Sequence, residues 1–253
     1  MKKVPLHIFR VFLIAIPLFI CGFVSAKPKK ILVFSKTAAF RHGSAIEAGK
    51  KTIQQLGIKN NFQVDATENA DLFTADNLKQ YAAVVFLCTT GDVLNDQQQQ
   101  AFEQYIRSGG GFVGLHSAAD TEYDWPWYGE LNGAYFKNHP KQQEAVFNVV
   151  DQGNIATAHL PKVWKRFDEL YNFKWIGTDL HILITIDENS YTGGENGPNH
   201  PMSWYHNFDG GRAFYTALGH DNKSYDDPLY VQHVLGGIEY AMGANPQISS
   251  SKK

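Results

Sequence analysis

Cysteine is nearly missing from this chain. Of 253 residues two are cysteines, Cys21 and Cys88. Cys21 falls in an amino-terminal segment that reads as removable, so the mature protein has no intrachain disulfide and must be stabilised by its core. Cys88 ends the apolar run Val84-Val-Phe-Leu-Cys88 and reads as a small buried hydrophobe rather than a reactive thiol. A basic surplus is also missing: 23 Lys and Arg face 25 Asp and Glu. That balance gives no electrostatic footprint for nucleic acid. No G-x-S-x-G follows a strand, which argues against an α/β-hydrolase. There is no phosphate-binding loop. Gly109-Gly-Gly111 precedes a strand instead of opening a helix, so it is no dinucleotide fingerprint and no nucleotide cofactor is expected. A compact zinc signature such as H-E-x-x-H is absent too.

The long apolar run of a membrane span is likewise wanting. Residues 11–24 are apolar apart from Pro17, Cys21 and Gly22, which is shorter than the ~20 residues a spanning helix needs. Lys2, Lys3 and Arg10 precede or open this run, and Val24-Ser25-Ala26 fits a small-residue cleavage site. Residues 1–26 therefore read as a secretory signal peptide, and the protein as periplasmic or secreted, without stable membrane insertion once the signal is removed. A lipoprotein anchored through Cys21 is the alternative, with Ile20 a poor match before it. Losing the three cations takes the formal net charge from −2 to −5. The remaining length of about 227 residues suits one substantial domain.

What is present is the pattern of an α/β protein. Continuous apolar runs at 31–34, 82–88 and 112–115 read as strands covered on both faces. Residues 62–66 form a weaker strand. Helices are expected over 44–56, stopped by Gly57, over 71–79 in short form, and over 95–108, capped by Asn95 and ended by the glycine run. This alternation predicts a single-domain, three-layer α/β sandwich around a mostly parallel sheet, spanning residues 29–243. Later strands are expected at 144–150 and 181–186. The turn Phe208-Asp-Gly-Gly211 predicts a hairpin, and residues 228–242 a closing helix. Residues 244–253 form a polar tail.

In such sheets ligands bind beyond the carboxyl ends of the strands. Gly110-Gly-Phe-Val-Gly-Leu-His116 places an imidazole at the tip of a strand-to-helix elbow, where many enzymes carry a Ser or Cys nucleophile. Acyl transfer is thereby disfavoured, and metal binding or proton transfer favoured. Ala213-Phe-Tyr-Thr-Ala-Leu-Gly-His220 ends another strand with a second imidazole, and the two can point into one crevice. Glu169 can complete a metal site with His116 and His220, zinc first among divalent metals, or pair with Lys165 or Arg166. Asp120 lies four residues past the elbow. Arg41 can clamp a ligand oxygen or form a helix-start surface pair. Trp125, in Trp125-Pro-Trp-Tyr128, can stack on a sugar face or fill a satellite core, and Trp204 invites the same two readings.

Ile31-Leu-Val-Phe-Ser35, Phe40-Arg-His42, Gly110 through Ser117, Asn138-His-Pro140, Asp168-Glu-Leu-Tyr171, Pro201-Met-Ser-Trp204 and Ala217-Leu-Gly-His220 together resemble the ThuA-like (trehalose utilisation) family over about residues 29–243. The resemblance implies a fold similar to the class I glutamine amidotransferase domain, with His116 at the position of its nucleophilic Cys and His220 at that of its triad His. Amidotransferase chemistry cannot run without the sulfur. The resemblance further implies a carbohydrate partner, in particular glycosides oxidised at C3. It casts His116, Glu169, His220 and Asp120 as the catalytic set, His116, Glu169 and His220 as ligands of a possible divalent metal, and Arg41, His42, His139, Trp125 and Trp204 as the substrate-binding set. A non-catalytic carbohydrate-binding or accessory domain is the competing reading. An amidase-like hydrolase is a third.

Overall fold

The computed structural model describes residues 1–2 and 27–248; the segment read as a signal peptide lies outside the described residues, as does the end of the polar tail. The first half is built as its apolar runs dictate. Strands β1 (Lys29–Phe34), β3 (Ala83–Leu87) and β4 (Gly111–Leu115) are buried almost throughout, and β2 (Phe62–Thr67) is the half-exposed edge. They pair in parallel in the order β2-β1-β3-β4. Helices α1 (Gly43–Lys59) and α5 (Pro228–Ala241) pack together on one face. Helices α2 (Ala75–Leu78), α3 (Asp96–Arg107) and α4 (Pro126–Asn132) lie on the other. The three layers follow.

Local signals set several boundaries. Asn95 caps α3 through a reciprocal capping box with Gln98, and Gly109 takes φ +92° just past the helix end. Helix α1 does not stop at Gly57. It runs to Lys59, and the reversal is made by Asn61 at φ 56°. Gly57 is there for space, since a Cβ would press on the Phe62 carbonyl and on Val64.

The second half departs from a plain parallel sheet. β10 (Pro201–Phe208) and β11 (Gly211–Thr216) form the expected hairpin, turning through Asp209 and Gly210, both at positive φ. β11 joins the parallel half beside β4. From β10 outward the sheet is antiparallel through β9 (His181–Ile186), β6 (Gln143–Val149) and β7 (Val163–Asp168), giving nine strands in the order β2-β1-β3-β4-β11-β10-β9-β6-β7. The aromatic and charged stretch 164–173 thus supplies strand β7 and part of β8 (Asn172–Ile176). β8 pairs with β5 (Ala134–Asn138) in a separate two-stranded sheet. Charges on β7 masked its period: Trp164, Arg166 and Asp168 are buried, while Val163, Lys165 and Phe167 are exposed.

The antiparallel half curls around α5. Arg166 on the edge strand lies over the Tyr230 ring of α5 and bonds Ser224 just before it. Within that wrap, His233 of α5 is fully buried. Its Nδ1–H donates to the Ala156 carbonyl at 2.8 Å and its Nε2 lies 3.1 Å from the Ser203 hydroxyl. Burial lowers its pKa to about 3, against about 6.5 in the unfolded chain. The unfolded state therefore takes up the proton first as pH falls, and stability drops between pH 6.5 and 3. Between pH 7 and 5 this residue should cost on the order of 2 kcal/mol of folding free energy. Urea melts of His233→Gln should show a correspondingly weaker pH dependence; an identical slope in wild type and variant would remove this assignment.

Candidate functional site

The site lies where the parallel half predicts, beyond the carboxyl ends of β1, β4 and β11. His116 is the first residue after β4 and sits at φ 53°, a left-handed conformation uncommon for a side chain with a Cβ. It is fixed on both sides. The Tyr215 hydroxyl donates to its carbonyl at 2.8 Å, and its Nδ1–H donates to the Ala217 carbonyl at 2.8 Å. In the neutral ring the Nε2 lone pair then faces inward. His220 lies four residues past the end of β11, not at the strand end the sequence suggested, and is turned in by Gly219 at φ +107°. A Cβ at residue 219 would collide with the Tyr230 hydroxyl. His42 caps the start of α1, its Nδ1 3.3 Å from the Ser117 hydroxyl.

Glu169, just past the end of β7, is the common neighbour. Its Oε2 lies 3.1 Å from His220 Nδ1, 3.4 Å from His116 Nε2 and 3.9 Å from His42 Nε2, and its Oε1 lies 3.4 Å from His139 Nε2. The rings of His42, His116 and His220 meet edge to face, with centroids 4.7 to 5.2 Å apart. One donor atom from each of His42, His116, Glu169 and His220 falls within 4.8 Å of the others. Tyr171 closes the back, its hydroxyl 3.1 Å from His116 Nε2.

Burial and charge pull against each other here. Burial alone would raise the Glu169 carboxyl, but bonds from His116, His220 and His42 outweigh it and hold that group far below the usual carboxylate range. Burial lowers His42. For His220 burial is again opposed, and the Glu169 carboxylate raises its pKa on balance. Burial raises the Asp120 carboxyl, which accepts a bond from the Tyr123 hydroxyl at 2.6 Å.

Above the cluster opens a cavity of about 460 Å³, within the ~300–1,000 Å³ of small-molecule sites. Its polar lining includes Asp120, His139 and Gln142, and its apolar walls are Phe40, Phe136 and Tyr171. A depression of about 480 Å³ lined by Glu47, Lys50 and Glu68 is slightly larger, but Lys50 pairs there with both carboxylates and no imidazole lines it.

His116, Glu169, His220, Asp120, His139 and His42 are thus brought together. His42, read as substrate-binding, belongs to the innermost cluster. Arg41, Trp125 and Trp204 are not at the site. Arg41 is engaged as a fork on Glu68 at 2.7 and 3.1 Å, its side chain outside the cavity. Trp125 stacks on Trp127 and Tyr128 and donates to Glu103, at the margin of the main core. Trp204 is fully buried beside Tyr215, its indole N–H on the Asn132 carbonyl. Sequence reasoning passed over Tyr171, although it lies two residues from Glu169. It also passed over Phe40, 68% exposed at the cavity mouth, and Gln142, which carries no motif. Trp204→Ala should cost roughly 3–5 kcal/mol of stability, whereas Phe40→Ala should stay within about 0.5 kcal/mol. Denaturant melts of the two variants check the division between core and site.

The ThuA family, described as trehalose utilisation, matches residues 30–241. Crystal structures of ThuA-like proteins from Bacteroides uniformis and Parabacteroides merdae superpose with TM-scores of 0.74 and 0.71, each at 22% identity. The first covers 86% of this chain and 93% of the other, the second 89% and 94%. A β-galactosidase from Bacillus circulans shares the fold over 86% of this chain and 32% of its own, at TM-score 0.53 and 12% identity. No curated protein matches. These structural likenesses carry the fold alone; the family match spans nearly the whole domain, and the chain belongs to the ThuA family.

Proposed function

We propose that this protein is an exported carbohydrate-active enzyme that cleaves glycosides oxidised at C3. The observation that carries the reading is the convergence of three imidazoles on one buried carboxylate at the floor of a cavity of sugar size. A protein that only binds sugar needs aromatic planes and hydrogen-bonding groups. It has no use for a buried carboxylate shared among imidazoles, which is costly to assemble.

The donor set fits a divalent metal, zinc first. Three nitrogens and one carboxylate are borderline ligands of the kind zinc takes, and the bond from His116 Nδ1–H to a backbone carbonyl is the outer contact expected of a ligating imidazole. His42, His116, Glu169 and His220 would hold the ion. When bound, it supplies Lewis acidity towards a substrate oxygen.

The remaining roles fall to the chain. A ketone at C3 acidifies the C2 proton. Asp120, its basicity raised by burial, is placed at the cavity wall to accept that proton. The C–H electrons form the C1–C2 double bond, and the C1–O bond breaks. His139, at the open side of the cavity, gives the leaving oxygen its proton. Water added across the new double bond would complete a net hydrolysis. Phe40 and Phe136 offer apolar faces for the sugar ring's C–H groups.

The second reading, a sugar-binding accessory domain, draws support from those same aromatic walls. His116→Ala separates the two. It should lower turnover of a 3-keto-glycoside by ~10² or more, followed by NMR of the unsaturated product, with the fold retained. Undiminished turnover ends the enzymatic assignment of this cluster, and binding without turnover in wild type selects the accessory domain. Export has its own check: the amino terminus of protein recovered from a periplasmic or secreted fraction should be Lys27, and an intact Met1 would refute it.

A further inference from the structure

Two members of the cluster come from strands far apart in the sheet. Glu169 follows β7, the far edge of the nine-stranded sheet, and His220 follows β11 near its middle. One side chain ties the two segments together. Asp168, buried, accepts the Glu169 N–H at 3.0 Å and the His220 N–H at 3.2 Å on Oδ1. On Oδ2 it accepts the Gly219 N–H at 3.1 Å and the Arg166 guanidinium at 2.9 Å. Both oxygens are thus fully engaged, three times by backbone. Arg166 is itself buried, held between the Trp164 and Tyr230 rings with its Cζ 4.6 and 5.2 Å from their centroids. It also donates to Ser224 at 2.9 Å.

We infer that Asp168, backed by Arg166, is the positioning residue of the His/Glu centre, fixing the Glu169 and His220 backbones at one register so that their side chains meet. The inference rests on the reading of that cluster as the reaction centre. Asp168 does not line the cavity, and it meets Glu169 and His220 at their backbones only. It acts through backbone N–H groups, which a carboxylate can accept on every side and an amide cannot. In Asp168→Asn one of the two oxygens becomes an NH2 facing N–H donors. Either the guanidinium and Gly219 or the Glu169 and His220 amides lose their acceptor, and the 219–220 segment is released from β7.

The test uses the mature chain with cobalt(II) as the probe. Wild type should bind cobalt with visible d–d bands. Asp168→Asn should bind it ~10–100-fold more weakly, the loss typical of outer contacts to metal ligands, and with altered bands. Its crystal structure should show His220 Nδ1 moved away from Glu169 Oε2, 3.1 Å apart in the intact centre. His233→Gln, a core change on α5 away from the cluster, serves as the control: a merely structural loss would weaken cobalt binding in both variants alike. If Asp168→Asn does not fold, Arg166→Lys, which keeps the charge but not the fork, should give a smaller weakening in the same direction. Unchanged cobalt affinity and an unchanged 3.1 Å separation in the variant overturn the inference. Failure of wild type to bind cobalt sinks the metal reading instead, and the separation in the variant crystal then decides the positioning role alone.

Discussion

Glu169 is a carboxylate 4% exposed, and a charge so far from water is tolerated only where neighbours replace its hydration. Three imidazoles on Oε2 and one on Oε1 do this. The constraint works in both directions. His116 and His42 are themselves buried, and the Nε2 of each faces the same carboxylate. The elbow after β4, the cap of α1, the loop after β11 and the end of β7 must therefore close together. No one of them is satisfied alone.

The sheet's two halves divide that labour. The parallel half forms a crevice at the carboxyl ends of its strands and supplies His42 from the loop after β1 and His116 from β4. It offers no carboxylate at the right depth: Asp120, past the elbow, lies at the cavity wall, bonded to Tyr123. The antiparallel half delivers one by curling around α5 until its edge strand returns to the centre of the fold. The buried side of β7, Trp164-Arg166-Asp168, is the means of return. Trp164 stacks under Arg166, Arg166 joins Asp168 to α5, and Asp168 binds the backbone of Gly219 and His220. The residue just past that edge strand, Glu169, thereby reaches the floor of the site.

Much of this could be read from the chain. The buried strands, the capping box at Asn95, the hairpin at Asp209-Gly210 and the elbow at His116 are local features, and each carries its own residue signature. The pairing of His116 with His220 was also legible, because β4 and β11 end close to those residues and lie side by side. The role of His42 was half legible: its place after β1 puts it at the crevice, but nothing in the sequence says how deep. Trp125 and Trp204 stayed open between sugar platform and core because an indole looks the same in a core as on a ligand. Burial decides between those, and burial is a property of the whole fold. Arg41 was diverted by Glu68, a partner 27 residues away on another loop. Strand β7 was hidden because its inward side carries Arg166 and Asp168, so an apolar period does not mark it.

The charge count of the cluster sets its chemistry. One carboxylate faces four imidazoles, and in a site of low polarity it can balance one imidazolium with comfort. Against the effect of burial, the Glu169 carboxylate raises His220, whereas burial lowers His42. His116, its Nδ1–H donating to the Ala217 carbonyl, turns its Nε2 into the same space, 3.3 Å from His220 Nδ1. A proton on His220 and a divalent cation among the rings are therefore competing ways of meeting one demand. Gln142 stands beside His220, its amide nitrogen 2.7 Å from the ring Nε2, placed to donate to that nitrogen where it carries no hydrogen. Four imidazoles and one carboxylate thus share the floor of the cavity, and the cavity opens directly onto them.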